Sequence, residues 1–376
     1  MLNSLVIKNY RNLKDLKINS LGKVNLIIGK NNTGKSTLLE AIAIYATKGD
    51  LSLIYQLLDE RGETPKQRNT DTNLTETNIK MFSSLFNNRI VGFDAGESII
   101  IGSLEKTLFG EQLSSNDNVS IRFVKYFDEM HSDEQGNRIR KRRFIQNDSE
   151  ITMDYYKIGF EIKKGNFSYF LPLDEDRPSR FAIRGVKNND NVHIVKTSNI
   201  FRGINGSLFD NIALTNKEQY VIEALKIIEP LTERIAFVEE AERERIAVIK
   251  LSDSQQVLPL QSMGDGINRI MTIILALVNA DNGYLLIDEF ENGLHYSVQE
   301  KLWAILFELS RKLNIQIFVT THSEDCIKGF ESVLNNASSI SDGKLIRLDN
   351  ENGKIKQVEF DAKELKIAND QDIEIR

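Results

Sequence analysis

The chain has 376 residues, of which 41% are hydrophobic and 27% are charged, and its formal net charge is -6. A chain of this length and composition can bury a sizeable core, which we expect to be divided over two or three lobes. The acidic balance argues against a uniformly basic nucleic-acid-binding protein, and the presence of one cysteine excludes an internal disulfide framework and a cysteine-based metal site.

The sequence predicts a cytoplasmic protein without membrane partners. No window approaches about 18 consecutive apolar residues, which a membrane-spanning helix would need. Charged residues interrupt the N-terminal stretch MLNSLVIKNYRNLKDLKI, where a signal peptide would carry an apolar core. The single cysteine, Cys326, is compatible with a reducing compartment, and we expect it to fill the core.

The first 48 residues predict two strands, a loop and a helix. The strands are SLVIKNY and KVNLIIG, the loop is KNNTGKS, and the helix is TLLEAIAIYA, in which Leu38, Leu39, Ile42 and Tyr45 recur at helical spacing. Residues 59–78 contain almost no apolar side chains, and we expect them to form a mobile loop.

Alternating apolar residues dominate the segment that follows. Val119, Ile121 and Phe123 would share one face of a strand, and two further alternating runs flank the turn KKGN at 163–166, so the sequence predicts an antiparallel lobe. The basic run RIRKRR, residues 138–143, is either a phosphate contact or a solvated hairpin tip. Residues 216–235 then predict a helix that Pro230 bends.

The final third predicts a parallel sheet. The apolar runs YLLI and IQIFVTT are separated by a helical stretch at 297–312, and a hairpin over 345–360 follows. We expect an α/β fold in which residues 1–48 and 191–344 form a nucleotide-binding head. Residues 49–190 would be an inserted segment with the antiparallel lobe, and residues 345–376 a C-terminal hairpin and tail.

The stretch GKNNTGKS, Gly29 to Ser36, matches the phosphate-binding loop that follows a strand and opens a helix. Glycines free backbone N–H groups to surround phosphate oxygens, Lys35 would reach the β and γ phosphates of ATP, and the hydroxyl of Ser36 would bind Mg²⁺. The predicted nucleotide contacts are Gly29, Asn31, Asn32, Thr33, Gly34, Lys35, Ser36 and Thr37.

Polar residues follow both apolar strands of the final third. Asp288 could hold Mg²⁺ and Glu289 could orient and deprotonate a water, although two acids at a strand end could also be merely solvated. His322 could sense the γ-phosphate or be satisfied by local backbone. His295 could lie near the nucleotide or at a subunit contact, or it could have a structural role only.

These motifs together resemble the ATP-binding-cassette ATPase heads of the RecF and structural-maintenance-of-chromosomes (SMC) kind. The resemblance rests on LVIKNYRNLKDLKI, NLIIGKNNTGKSTLLEAI, LLIDEFENGLH and TTHS, and ALKIIEPLTERIAFV also fits it. It is closest to the ATPase portion of overcoming-lysogenization-defect nucleases and to stand-alone ATPases of phage defence. It implies a phosphate-loop ATPase with a central parallel or mixed sheet covered by helices and an antiparallel lobe.

The stretch SMGDGINRI, Ser262 to Ile270, is similar to the signature segment of such heads. In that family this segment lies at a helix N-terminus and completes the nucleotide site of the opposite subunit. The contacts would come from Ser262, Gly264, Asp265 and Gly266, and two registers stay open: Ser262 with Gly264, or Gly264 with Gly266 and Arg269. One phosphate loop and one signature per chain predict a homodimer enclosing two ATP molecules, with higher oligomers left open.

The family's fused nuclease domain is not expected here. Asp370 and Asp372 match the spacing of a metal-binding pair of aspartates, but no strand follows them. We therefore expect a magnesium-dependent ATPase subunit that controls a separately encoded effector, with DNA as a further partner, in phage defence. The alternative is a RecF-like DNA clamp in repair that needs no effector.

Overall fold

The computed structural model describes residues 1–65, 73–107, 110–132, 138–145, 156–175, 191–197, 202–239, 245–335 and 342–371. Its strands are β1 (Leu5–Tyr10), β2 (Leu13–Ile18), β3 (Val24–Ile28), β4 (Ile99–Thr107), β5 (Gly110–Ser132), β6 (Arg138–Phe144), β7 (Lys157–Lys164), β8 (Phe167–Pro172), β9 (Val192–Val195), β10 (Thr232–Glu239), β11 (Arg245–Leu251), β12 (Val257–Pro259), β13 (Tyr284–Ile287), β14 (Gln316–Thr320), β15 (Gly343–Glu351) and β16 (Lys354–Phe360). Its helices are α1 (Lys35–Ala46), α2 (Leu51–Glu60), α3 (Leu74–Ser83), α4 (Arg202–Asp210), α5 (Lys217–Leu225), α6 (Asp265–Asn279), α7 (Tyr296–Lys312), α8 (Glu324–Asn335) and α9 (Ala362–Asp370).

A six-stranded sheet of order β16-β15-β3-β14-β13-β9 forms the centre of the nucleotide-binding half. All pairs from β15 to β9 are parallel, and β16 adds an antiparallel edge. Alternate residues of each central strand enter two different cores: Leu26 and Ile317 face one, and Ile27 and Phe318 face the other. The sheet is therefore covered on both faces, as the continuous apolar runs predict.

An antiparallel sheet of order β2-β1-β4-β5-β7-β8 forms the second layer, with β6 paired to the far part of β5. Val119, Ile121 and Phe123 are fully buried on its inner face, which confirms the predicted alternation. The two N-terminal strands belong to this sheet, and so the chain enters the antiparallel layer before it builds the phosphate loop. β2 was not predicted, because its buried residues Leu13, Leu16 and Ile18 do not alternate regularly.

Helix α1 lies in the apolar layer between these two sheets. Eleven of its residues are buried and Ser36 is exposed. A helix that is apolar on all sides is typical of an element covered on every side. The phosphate loop is consequently attached to a helix that is buried along almost its whole length.

Two predicted segments differ from the structure. The helix expected over 216–235 ends at Leu225, and β10 begins at Thr232, because Pro230 cannot donate a backbone hydrogen bond and the following residues pair with β11. The loop expected over 59–78 is shorter, since α2 continues to Glu60 and Asn73 caps α3 by accepting a hydrogen bond from Thr75. Residues 66–72 lie outside the described residues. In the part of the chain that the structure describes, no helix is long and apolar enough to cross a membrane.

Candidate functional site

The phosphate loop connects the carboxyl end of β3 to α1. Gly29 and Gly34 have φ of 141° and 91°, and a Cβ on Gly29 would lie 2.4 Å from the carbonyl oxygen of Leu348, so only glycine fits there. Lys35 Nζ donates to the carbonyl oxygens of Gly29 at 2.7 Å and Lys30 at 3.0 Å. The loop is thus closed around its own lysine.

No side-chain hydrogen bond caps the first turn of α1. Gly34 occupies the N-cap position and supplies no side-chain acceptor. The N–H groups at the start of a helix have no partner within the helix, and the helix dipole adds positive potential there. This arrangement, with an ammonium group alongside, is suited to phosphate.

Side chains from the start of α1 and the end of β14 meet at the carboxylate of Asp288. Ser36 Oγ donates to Asp288 Oδ1 at 3.2 Å, and Thr320 Oγ1 donates to the same oxygen at 2.6 Å. Asp288 follows β13, and its backbone N–H donates to the carbonyl oxygen of Val195 at the end of β9. The sheet therefore brings together the serine and the acid that the sequence predicted as the magnesium pair.

The pair of Ser36 and Asp288 fits Mg²⁺. Both offer oxygen atoms, and the Ser36 residue is exposed. Within the described residues there is no group of three or more histidine, cysteine or carboxylate side chains that could hold a metal. Mg²⁺ commonly takes one or two protein ligands and completes its shell with water and phosphate oxygens, and this site offers such an arrangement.

Glu289 has an unusual backbone conformation. Its φ is 50°, in the left-handed region, where a residue other than glycine stores strain of about 1–3 kcal/mol. Its N–H donates to Thr320 Oγ1 at 2.9 Å, and its carbonyl oxygen accepts from Arg269 Nη2 at 3.1 Å. These two bonds hold the predicted general base in place.

Arg269 is half-buried and contacts backbone groups of its own chain. Besides the carbonyl of Glu289, its guanidinium donates to the carbonyl oxygens of Lys196 at 2.9 Å and Asp288 at 3.0 Å. Burial lowers its pKa, and the neighbouring acids oppose that shift. Sequence reasoning had placed Arg269 in one of the two registers for a phosphate contact. In the structure Arg269 lies on α6 and donates to backbone carbonyl groups that follow β9 and β13.

The signature segment presents an open helix N-terminus. A 3-10 turn over Leu260–Met263 leads to Gly264, whose φ is 98° and which caps α6 without a side-chain bond. A Cβ on Gly264 would meet no atom within 4 Å, whereas one on Gly266 would lie 3.1 Å from the carbonyl oxygen of Gly293. Ser262, Gly264 and Asp265 are exposed and Gly266 is half-buried, so the outward surface comprises the first three.

The two predicted histidines differ in their surroundings. His322 is half-buried and lies two residues after β14, and its backbone N–H donates to Glu291 Oε1 at 2.7 Å. His295 is the N-cap of α7: its Nδ1 accepts from the backbone of Ser297 and lies 2.8 Å from the Ser297 hydroxyl. The contacts of His295 favour the structural interpretation.

Sequence reasoning missed a cavity beside the phosphate loop. It has a volume of about 390 Å³, and its lining includes Asn32 and Thr37 of the loop region together with Arg11 and Asn12 from the turn between β1 and β2. Arg11 Nη2 and Asn12 Oδ1 are buried there without a hydrogen-bond partner in the described residues. Glu40 and Glu63 pair with the other nitrogens of Arg11 at 3.1 Å and 2.9 Å. The only sequence signal was a polar turn, YRN, between two apolar strands.

Two further motifs lie away from this site. In the basic run, Arg142 pairs with Asp128 at 3.8 Å and Arg143 pairs with Glu129 at 3.7 Å, which is consistent with a solvated strand. Asp370 is in the last turn of α9, and Asp372 lies outside the described residues.

Comparisons with known proteins place the chain in a family. The family model for the AAA ATPase domain matches residues 1–327. An ATP/GTP phosphatase from Helicobacter pylori is 25% identical over 386 aligned residues, covering 93% of this chain and 92% of that protein. The DNA replication and repair protein RecF of Oenococcus oeni is 26% identical over 264 residues, covering 57% of this chain and 68% of its own.

A solved structure shares the fold. An SMC head, crystallised with the C-terminal winged-helix domain of ScpA, aligns with a TM-score of 0.52 at 13% identity and covers 96% of this chain and 98% of its own. At this level of identity the likeness concerns the fold alone.

Proposed function

The chain belongs to the AAA ATPase domain family, and on that basis we propose that it is a magnesium-dependent ATPase that works as a homodimer. One observation carries the proposal: Ser36 of the phosphate loop, Asp288 after β13 and Thr320 at the end of β14 are joined by hydrogen bonds at 3.2 and 2.6 Å. The family and the ATP/GTP phosphatase from Helicobacter pylori support hydrolysis of a nucleoside triphosphate.

The residues divide the chemical work among them. Lys35 and the open N-terminus of α1 bind the phosphates, and Ser36 and Asp288 hold Mg²⁺, which would neutralise phosphate charge when bound. Glu289 orients a water and takes its proton, and His322 hydrogen-bonds to the γ-phosphate. The ribose and base extend toward the cavity, where Arg11 Nη2 and Asn12 Oδ1 offer a donor and an acceptor.

The second copy supplies the signature segment. The exposed N-terminus of α6 at Gly264 provides backbone donors and the positive end of a helix, which suit the γ-phosphate held by the partner. Neither copy then has a complete site alone. Binding of ATP would drive dimerisation, and hydrolysis would reverse it.

A matched pair of glycine variants tests this trans role. Gly264 and Gly110, the first residue of β5, both have positive φ, of 98° and 111°, and a Cβ on either meets nothing within 4 Å. Alanine at either position must adopt a backbone conformation that residues other than glycine rarely adopt, which costs about 1–3 kcal/mol. Of the two variants, we expect only Gly264→Ala to lose ATP hydrolysis. In a Glu289→Gln background, which retains ATP, we expect only Gly264→Ala to lose ATP-dependent dimerisation, as measured by light scattering. Equal activity of the two variants would contradict the proposal, as would an ATP-bound monomer.

We further propose that dimerisation controls a separately encoded effector, of nuclease type, in phage defence. The RecF match favours a second candidate, an ATP-dependent clamp on DNA in repair. A clamp would be retained on duplex DNA in the presence of ATP, and its retention would weaken steeply with salt. Recovery of only this polypeptide in a pull-down from native host cells would contradict the proposal of a separate effector.

A further inference from the structure

Glu291 connects the segment after β13 to the segment after β14. Its Oε1 accepts from the backbone N–H of His322 and its Oε2 accepts from the hydroxyl of Thr321, both at 2.7 Å. Thr321 is buried and Glu291 is half-buried. Bonds to an ionised acceptor are shorter and stronger than neutral ones, particularly where water is partly excluded.

From this geometry we infer that Glu291 is a positioning residue for hydrolysis, which acts through His322; the inference rests on the proposed function. Both carboxylate oxygens hold the chain at the point where the His322 side chain begins. The place of the imidazole therefore depends on Glu291. Displacements of about 1 Å at a reacting group can cost about a hundredfold in rate, so fixing this peptide matters for catalysis.

Glu291 is also continuous with the surface that carries the signature segment. The exposed residues Asn292 and Gly293 follow it directly, and the Gly293 carbonyl oxygen is 3.1 Å from the position of a Cβ on Gly266 at the start of α6. A second copy that binds at this surface would therefore contact the segment that holds Glu291.

The test compares steady-state hydrolysis of ATP by single and double variants. Glu291→Gln keeps one acceptor oxygen for the His322 N–H and loses the acceptor for the Thr321 hydroxyl, so we expect about a tenfold fall in kcat. Glu291→Ala should lower kcat about a hundredfold, as far as His322→Ala, with KM within about twofold of wild type. Glu308→Gln removes an exposed carboxylate on α7 and is the matched control with unchanged kinetics.

The decisive comparison is made in the His322→Ala background. If Glu291 acts through His322, adding Glu291→Ala there lowers kcat no further, because residues that act as a unit are not additive. A further fall of similar size, or a rise in KM with kcat unchanged, would overturn the inference. If Glu291→Ala does not fold, Glu291→Gln and Thr321→Val allow the same comparison.

The control reactions separate this inference from the proposed function. Suppose that the wild-type chain hydrolyses ATP, that Lys35→Ala does not, and that Glu291→Gln and Glu291→Ala have wild-type kinetics. This result would refute the inference about Glu291 and leave the proposed function in place. Absence of hydrolysis by the wild-type chain with Mg²⁺ and ATP would refute both.

Discussion

Replacement of Arg269 by alanine tests whether this side chain acts within its own protomer. The change removes hydrogen bonds to the carbonyl oxygens of Lys196, Asp288 and Glu289. Desolvation of the guanidinium, which lowers its pKa, offsets part of their contribution, and Nε has no hydrogen-bond partner in the described residues. We therefore expect a loss of about 2–4 kcal/mol in the free energy of unfolding, below the sum of three charged hydrogen bonds.

The expected loss corresponds to a measurable change in melting temperature. Unfolding entropy near 2.1 cal/mol/K per residue gives roughly 0.8 kcal/mol/K for 376 residues, so Tm should fall by about 2.5–5 °C in calorimetry. Arg269→Lys should lose most of the same stability, because an ammonium group cannot reproduce the planar fork that reaches three carbonyls. Hydrolysis should fall about a hundredfold in both, since Asp288 and Glu289 lose their support.

A mixing experiment separates action in cis from action in trans. Gly264→Ala and Lys35→Ala should restore hydrolysis when mixed, because one of the two sites in a mixed dimer then has an intact lysine and an intact partner glycine. Arg269→Ala mixed with Lys35→Ala should restore nothing, because the site that keeps Lys35 lacks Arg269 in the same protomer. Recovery of activity in this second mixture would refute the cis role of Arg269.

Variants at three other positions give further predictions. Glu289→Gly should relieve left-handed backbone strain and raise the free energy of unfolding by about 1 kcal/mol while abolishing hydrolysis, whereas Glu289→Gln should abolish hydrolysis without that gain; thermal melting and phosphate release check both. Asn12→Ala should raise KM for ATP with kcat unchanged, as expected for a group that contacts the base or ribose, and a changed kcat would contradict this assignment. Burial raises the pKa of the Cys326 thiol from 9.0 to about 12, so its stabilising contribution is complete below pH 9 and is lost as pH rises toward 12. Denaturant titrations should show the advantage of wild type over Cys326→Ala shrinking from pH 8 to pH 11; an advantage independent of pH would contradict this.

The strands and the phosphate loop could be predicted because their determinants are local. Val24–Ile28 and Gln316–Thr320 are uninterrupted apolar runs, and such runs become parallel strands covered on both faces. Gly29 and Gly34 adopt backbone conformations that glycine favours, so their spacing reveals the loop without any knowledge of its neighbours. The alternation of apolar and polar residues in the antiparallel strands β5, β7 and β8 could be recognised in the sequence for the same reason.

Prediction failed where distant residues decide the local structure. The apolar spacing after Leu225 fits a helix, yet residues from Thr232 form a strand because β11 is available as a partner. The sequence also left open whether Ser262 or Arg269 accompanies the glycines of the signature segment, and the bonds from Arg269 to three carbonyl oxygens of other elements are visible only in the structure. The role of Arg11 and Asn12 also depends on a cavity that α1 and the segment after α2 help to form.

The sequence by itself determined the class of chemistry, because a glycine-rich loop before a helix, two acids after an apolar strand and a histidine after another strand each have a local physical meaning. Tertiary structure decided which atoms meet. The sheet order places β3 beside β14 and β14 beside β13, and only that order puts Ser36, Asp288 and Thr320 within hydrogen-bonding distance. Strand order depends on the packing of two whole faces against helices and a second sheet, and no short stretch of sequence contains that information.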